Sequence, residues 1–233
     1  GQAYVDKLRA SGVSVSHKNF LQQMHGFFAM PAALPAAGKA MAWLAQEMDR
    51  HLTPTERKDV VVVGAGFSGM YQLHKLREQG LNVQVFERGS DVGGTWYWNR
   101  YPGARVDIES MAYSFSFSDD LQQEWQWSEK YSPQPELLRY AQHVADRFDL
   151  KSDIAFNTSV ASAHFDDDAE EWLVTTQCGR RVRAQHLVMA TGVLSASKTP
   201  DIAGRESYKG STYTTGLWPK EGVDFTGKRV AVI

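Results

Sequence analysis

The chain has 233 residues, 42% hydrophobic and 22% charged, enough for about one and a half ordinary domains with a buried core, which excludes disordered and fibrous classes. Its 25 basic and 27 acidic side chains leave a formal charge of −2, so the strong positive field needed to bind a phosphate backbone is missing and no nucleic-acid partner is expected. The single cysteine, Cys178, can form no intramolecular disulfide, and no Cys/His cluster has metal-ligand spacing, a pattern that fits a reducing cytoplasm and no bound metal.

Residues 1–57 read as a helical extension that either covers the following domain or makes an oligomer contact. Apolar residues between Phe20 and Phe28, and then Met41, Leu44 and Met48, recur at helical spacing on either side of a Pro- and Ala-rich stretch at 31–38. The uncharged run 19–38 is long enough to span a bilayer, but Gln22, Gln23, His25, Pro31 and Pro35 interrupt it, so no membrane helix is expected. Thr53, Pro54, Thr55 and Glu56, followed by the charged Arg57-Lys58-Asp59, read as a linker.

Four consecutive valines at 60–63 predict a parallel strand buried on both faces. The loop Gly64-Ala65-Gly66-Phe67-Ser68-Gly69 follows at once, and Phe67, Met70, Leu73 and Leu76 then recur at helical spacing up to a stop at Gly80. Residues 81–86 form a second strand closed by Glu87, completing a β-α-β unit. An amphipathic helix is predicted at 135–150 from Leu137, Leu138, Ala141, Val144 and Phe148. Residues 154–189 read as a three-stranded meander turning at 166–168 and 178–179. Lys228-Arg229 before Val230-Ala231-Val232-Ile233 echoes Lys58-Asp59 before the valines, so residues 228–233 are expected to begin the first strand of a second nucleotide-binding unit that continues past Ile233.

Each glycine of the loop has a mechanical reason. Gly64 permits the tight turn out of the strand, Gly66 lets backbone amides approach a diphosphate, and Gly69 lets the helix pack closely on the strand. The helix N-terminus then presents partial positive charge to the phosphates. Glu87, 18 residues after Gly69, can accept both ribose hydroxyls of an adenosine. NAD and FAD share this fingerprint. The second glycine pair in Arg88-Gly89-Ser90-Asp91-Val92-Gly93-Gly94-Thr95-Trp96 would fold back over the same dinucleotide, and this favours a held FAD.

From Gly93-Gly94-Thr95-Trp96-Tyr97-Trp98-Asn99-Arg100-Tyr101-Pro102-Gly103-Ala104-Arg105-Val106-Asp107 through Ser110, and again at Trp125-Gln126-Trp127-Ser128 and Ala190-Thr191-Gly192, the sequence resembles the type I Baeyer–Villiger monooxygenases. The resemblance implies an α/β protein with a Rossmann-like FAD-binding domain at 58–198, in which a parallel sheet carries a β-meander. It also implies an interdomain linker at 199–227 and the first strand of an NADP-binding Rossmann domain at 228–233. The implied reaction uses FAD, NADPH and O2 to convert a ketone to an ester or lactone through a C4a-peroxyflavin.

Among positions matching the family, Asp107 is the one catalytic candidate, with a supporting role. Ser68, Thr95, Trp96, Asp107, Tyr113 and the backbone at Val160 are implied to line FAD, together with Gly64, Gly66, Gly69, Glu87, Arg88, Gly94, Ala190 and Thr191. Arg105 and Asp107 are implied to approach NADP. The competing reading makes Asp107 a structural partner of Arg105 or Arg100. The family's linker pattern, Phe-x-Gly-x-x-x-His-x-x-x-Trp, is met by Tyr208, Gly210 and Trp218, with Thr214 where the histidine is expected. Two alternatives stay open: a flavin monooxygenase acting on nitrogen or sulfur, and a non-catalytic flavin-binding subunit. His74 reads as a surface residue.

Overall fold

The computed structural model describes residues 2–13, 15–21, 23, 34–52 and 55–233. They fall into two units, Gly1–Thr55 and Glu56–Ile233.

In the first unit, helix α1 spans Gln2–Ala10 and buries Val5, an element that the sequence pattern did not announce. Helix α2 spans Pro35–Leu52. It starts inside the stretch expected to separate two helices, because proline's fixed φ suits a first helical turn and the alanines after it are the strongest helix formers. Its spacing residues Met41, Leu44 and Met48 are exposed, while Ala37 and Ala40 are buried. The helix expected between Phe20 and Phe28 lies largely outside the described residues, and residues 15–20 are not helical. Among the described residues no helix is long and apolar enough to cross a membrane.

The second unit is built on a six-stranded sheet of order β3-β2-β1-β6-β5-β4. Its strands are β1 Thr55–Val63, β2 Val83–Phe86, β3 Ile154–Ala155, β4 Val160–Asp166, β5 Glu171–Thr176 and β6 Arg181–Met189. β1 pairs parallel with β2, Val60 facing Val83 and Val62 facing Val85, and β2 pairs parallel with β3. β4, β5 and β6 form the antiparallel meander expected from the turns. Helix α3, Phe67–Glu78, makes the crossover and ends before Gly80, whose φ is +78°.

Alternation along β1 explains the unbroken valine run. Val60 and Val62 join Met70, Leu73, Val83 and Val85 in the core beneath α3. Val61 points the other way, into a second core with Phe86, Val174, Val182 and Ala184. Helices α4 Thr95–Trp98, α5 Asp119–Glu124 and α6 Gln134–Arg147 follow in the second unit, α6 burying Leu137, Tyr140, Ala141 and Val144.

One expectation is corrected. The supposed linker is already strand from Thr55, because its charges find partners across the sheet: Glu56 pairs with Arg180 at 2.7 Å and Arg57 with Glu171. Thr53 and Pro54 lie outside the described residues. Residues 228–233, expected to begin a second unit, are unpaired among the described residues, and Val230, Val232 and Ile233 are exposed. A doubly buried strand gains its ladder bonds and its burial from neighbours, and none of the described strands pairs with this run. Residues 199–227 hold two 3-10 turns, Arg205–Ser207 and Thr215–Leu217.

Candidate functional site

A cleft of about 1050 Å³ opens at the C-terminal ends of β1 and β2, where Val63, Gly64, Phe86 and Glu87 lie in its wall. This is where open α/β sheets bind ligands, since the crossover helix begins there with unsatisfied amides. Gly64, Gly66, Ser68, Glu87, Arg88, Gly94, Thr95, Trp96, Arg105, Asp107, Tyr113, Val160, Ala190 and Thr191 all line the cleft. Of the expected residues only Gly69 stays out of its wall.

Gly69 serves the packing instead. A Cβ there would sit within the van der Waals envelope of the Gly64 carbonyl oxygen and 2.9 Å from its carbon. Gly64 has φ +102°, and a Cβ on it would be 2.6 Å from the Ala190 carbonyl oxygen. The two glycine clusters meet face to face, for a Cβ on Gly94 would lie 2.7 Å from the Gly66 Cα. Gly66 is also the N-cap of α3 and offers no side chain to cap it. The first-turn amides, at the wall of the cleft, are therefore left for an anionic ligand.

Glu87 is buried, and both carboxylate oxygens are committed on one side. Oε2 accepts the Ala65 amide at 2.8 Å and Oε1 accepts the Gly89 amide at 2.6 Å. Each oxygen keeps a further lone-pair direction, so the carboxylate can accept ribose hydroxyls while it braces the loop.

Asp107 is exposed in the cleft wall. Arg105 instead binds Glu129 and the Tyr131 carbonyl, both at 3.0 Å, and Arg100 donates to the Tyr97 carbonyl at 2.7 Å. Among the described residues neither arginine pairs with Asp107. Tyr113 lies edge-on to Trp96 at 5.7 Å and to Phe67 at 5.6 Å, and burial, aided by the negative charge of Asp107, pushes its phenol above the usual range.

Sequence reasoning missed Tyr97. Its Oη accepts the Ser90 amide at 3.1 Å and the Lys220 ammonium at 3.0 Å, and shares a hydrogen bond with the Ser90 hydroxyl at 2.8 Å. Burial alone would raise its pKa, but these donors and the lysine charge bring it down to about 8. A spectrophotometric titration should therefore show one phenolate forming near pH 8, and Tyr97→Phe should abolish that step alone.

His74 is not the surface residue expected. Its side chain is 13% exposed, stacks on Phe117 at 4.1 Å and meets Glu78 at 3.1 Å, and burial lowers its pKa. Within residues 199–227, the Tyr208 ring occupies the space that a side chain at Gly210 would need, and Trp218 packs with Tyr213 and Phe225. Thr214 caps the Thr215–Leu217 turn without a side-chain hydrogen bond.

The family described as NAD(P)-binding Rossmann-like domain matches residues 62–128, and the one described as pyridine nucleotide-disulphide oxidoreductase matches residues 102–233. A Baeyer-Villiger monooxygenase of Pseudooceanicola batsensis is 48% identical over 176 residues, covering 75% of this chain and 32% of its own. A phenazine N-monooxygenase of Lysobacter antibioticus is also 48% identical over 176 residues, with the same coverage. The solved structure of an oxidized steroid monooxygenase bound to NADP superimposes with a TM-score of 0.69 at 56% identity, over 73% of this chain and 33% of that one. The chain thus spans about a third of the length of the relatives it matches. It belongs to the pyridine nucleotide-disulphide oxidoreductase family, in the branch that holds the Baeyer–Villiger monooxygenases.

Proposed function

We propose that this chain is the FAD-binding portion of an enzyme that uses NADPH and O2 to oxidise a ketone to an ester or lactone. The observation that carries the reading is the close packing of Gly66 on Gly94 in the wall of the cleft, beside the uncapped start of α3 and buried Glu87. Two positions without Cβ let the loops close on each other and present backbone rather than side chains to a diphosphate in the cleft, and the carboxylate one strand away suits the adjoining ribose.

Gly66, Ser68 and Gly94 would hold the diphosphate of FAD and Glu87 its ribose, with Trp96 and Tyr113 beside the ring system. FAD supplies the redox and oxygen-transfer chemistry when bound. The chain binds and orients it, and the wall of Phe67, Trp96 and Tyr113 keeps water from it. Asp107, unpaired with either neighbouring arginine, is free to orient a cationic group supplied by the rest of the protein.

Nitrogen oxygenation is the second reading, supported by the equal identity to the phenazine N-monooxygenase and by Thr214 at the family's histidine position. The intact protein, loaded with FAD and given NADPH and O2, should convert a cyclic ketone to its lactone. Oxide formation on an aromatic N-heterocycle or a thioether, with the ketone untouched, would favour the second reading. Failure of NADPH to bleach the flavin would leave a non-catalytic subunit.

A further inference from the structure

One side-chain cluster joins parts of the second unit that lie far apart in the chain and has no place in the dinucleotide site as described. Tyr97, on α4, packs its ring against Gly89, where a Cβ would come 2.7 Å from Cε1. Its hydroxyl is bound by Ser90 and by Lys220, 123 positions further on. The Lys220 ammonium also lies 4.9 Å from the Tyr97 ring and 6.0 Å from the Trp98 ring. Arg88 adds a weaker tie, lying 4.4 Å over the Trp98 ring and reaching the Ser195 carbonyl at 3.4 Å.

The path of the chain gives these contacts a meaning. Residues 189–195 form one wall of the cleft, after which the linker runs out across the surface and is pinned back at Lys220. Phenylalanine would fill the space under Gly89 as well as tyrosine does. The hydroxyl therefore serves only its partners, Ser90 beside the Glu87 loop and Lys220 in the linker. Among the described residues no carboxylate pairs with Lys220, so its charge is spent on Tyr97 and the two rings.

We propose that Lys220 and Tyr97 form a latch that ties the linker to α4, whose Thr95, Trp96 and Trp98 line the cleft opposite the 189–195 wall, so that bound FAD is released only after this contact opens. The inference rests on the reading that FAD occupies the cleft, and both residues act by positioning. The groups facing the Tyr97 hydroxyl and ring are the Lys220 ammonium, the Arg100 guanidinium 4.9 Å from the ring, and the Ser90 amide and hydroxyl; Glu87 lies beyond Gly89, held by amides. As pH rises through about 8 the phenol ionises and its bond to Lys220 becomes an ion pair, so the latch tightens.

The test follows flavin fluorescence as FAD leaves the loaded, intact protein. Lys220→Met and Tyr97→Phe should each speed release roughly tenfold, the loss of a partly buried hydrogen bond to a charged group. The double variant should be no faster than either single one, and Lys220→Arg should stay near wild type. Raising the pH through 8 should slow release from wild type but not from Lys220→Met. Release at the wild-type rate from both single variants, or effects that simply add, would overturn the latch alone. Wild-type protein that retains no FAD would overturn the FAD reading and the latch with it.

Discussion

Gly69→Ala is expected to destabilise the second unit more than substitution at any other glycine in open or flexible surroundings. The added carbon would meet the carbonyl of Gly64, which is backbone and cannot rotate away, and the Cβ of Ala190 waits 3.6 Å off. Overpacked sites that relax cost about 1–3 kcal/mol, and this one has no soft neighbour on its tight side, so about 3 kcal/mol is expected. For a unit of this size that lowers the melting temperature by about 6–12 °C. Gly38→Ala is the control, since it lies in α2 with nothing within 4 Å of the new carbon. Helix propensity alone should make that change neutral or stabilising by up to about 1 kcal/mol. Thermal unfolding of the two variants checks both, and equal shifts would remove the steric explanation.

Glu87→Gln should have the second large effect, and it should be visible before any cofactor is added. Both carboxylate oxygens accept backbone amides, Ala65 on one and Gly89 on the other. Glutamine keeps one acceptor and turns an NH2 toward the remaining amide, so a donor faces a donor whichever way the group is flipped. A hydrogen bond to a charged group contributes about 1.5–3 kcal/mol, and a buried donor left unmet adds its own desolvation cost. We expect a stability loss of about 2 kcal/mol and FAD binding weakened by roughly 10- to 100-fold, read from unfolding curves and flavin fluorescence. Wild-type stability in the glutamine variant would show that the two amide bonds do not brace the loop.

The sequence made these two sites legible because their causes are local. Four valines, a glycine loop, helical spacing after it and a carboxylate at the end of the next strand all lie between residues 60 and 87, where period and backbone conformation speak directly. What could not be read depends on distant partners. The charges at the start of β1 looked like a linker until Arg180 and Glu171 were found opposite them. Tyr97 looked like one more aromatic in a run, because the lysine that gives its hydroxyl a use is 123 residues away. The run at 228–233 shows the converse: its apolar pattern is clear, but pattern supplies no neighbour to pair with. Asp107 was read as a candidate on family pattern, and only the arrangement of Arg100 and Arg105 showed that neither neutralises it.

The close approach of Gly64 to the Ala190 carbonyl has a consequence for biogenesis. The first turn of the cradle is translated more than a hundred residues before the backbone that backs it. A nascent chain still on the ribosome, short of the end of β6, holds the loop without its floor. On the reading that FAD occupies the cleft, its cradle is complete only once the meander has closed.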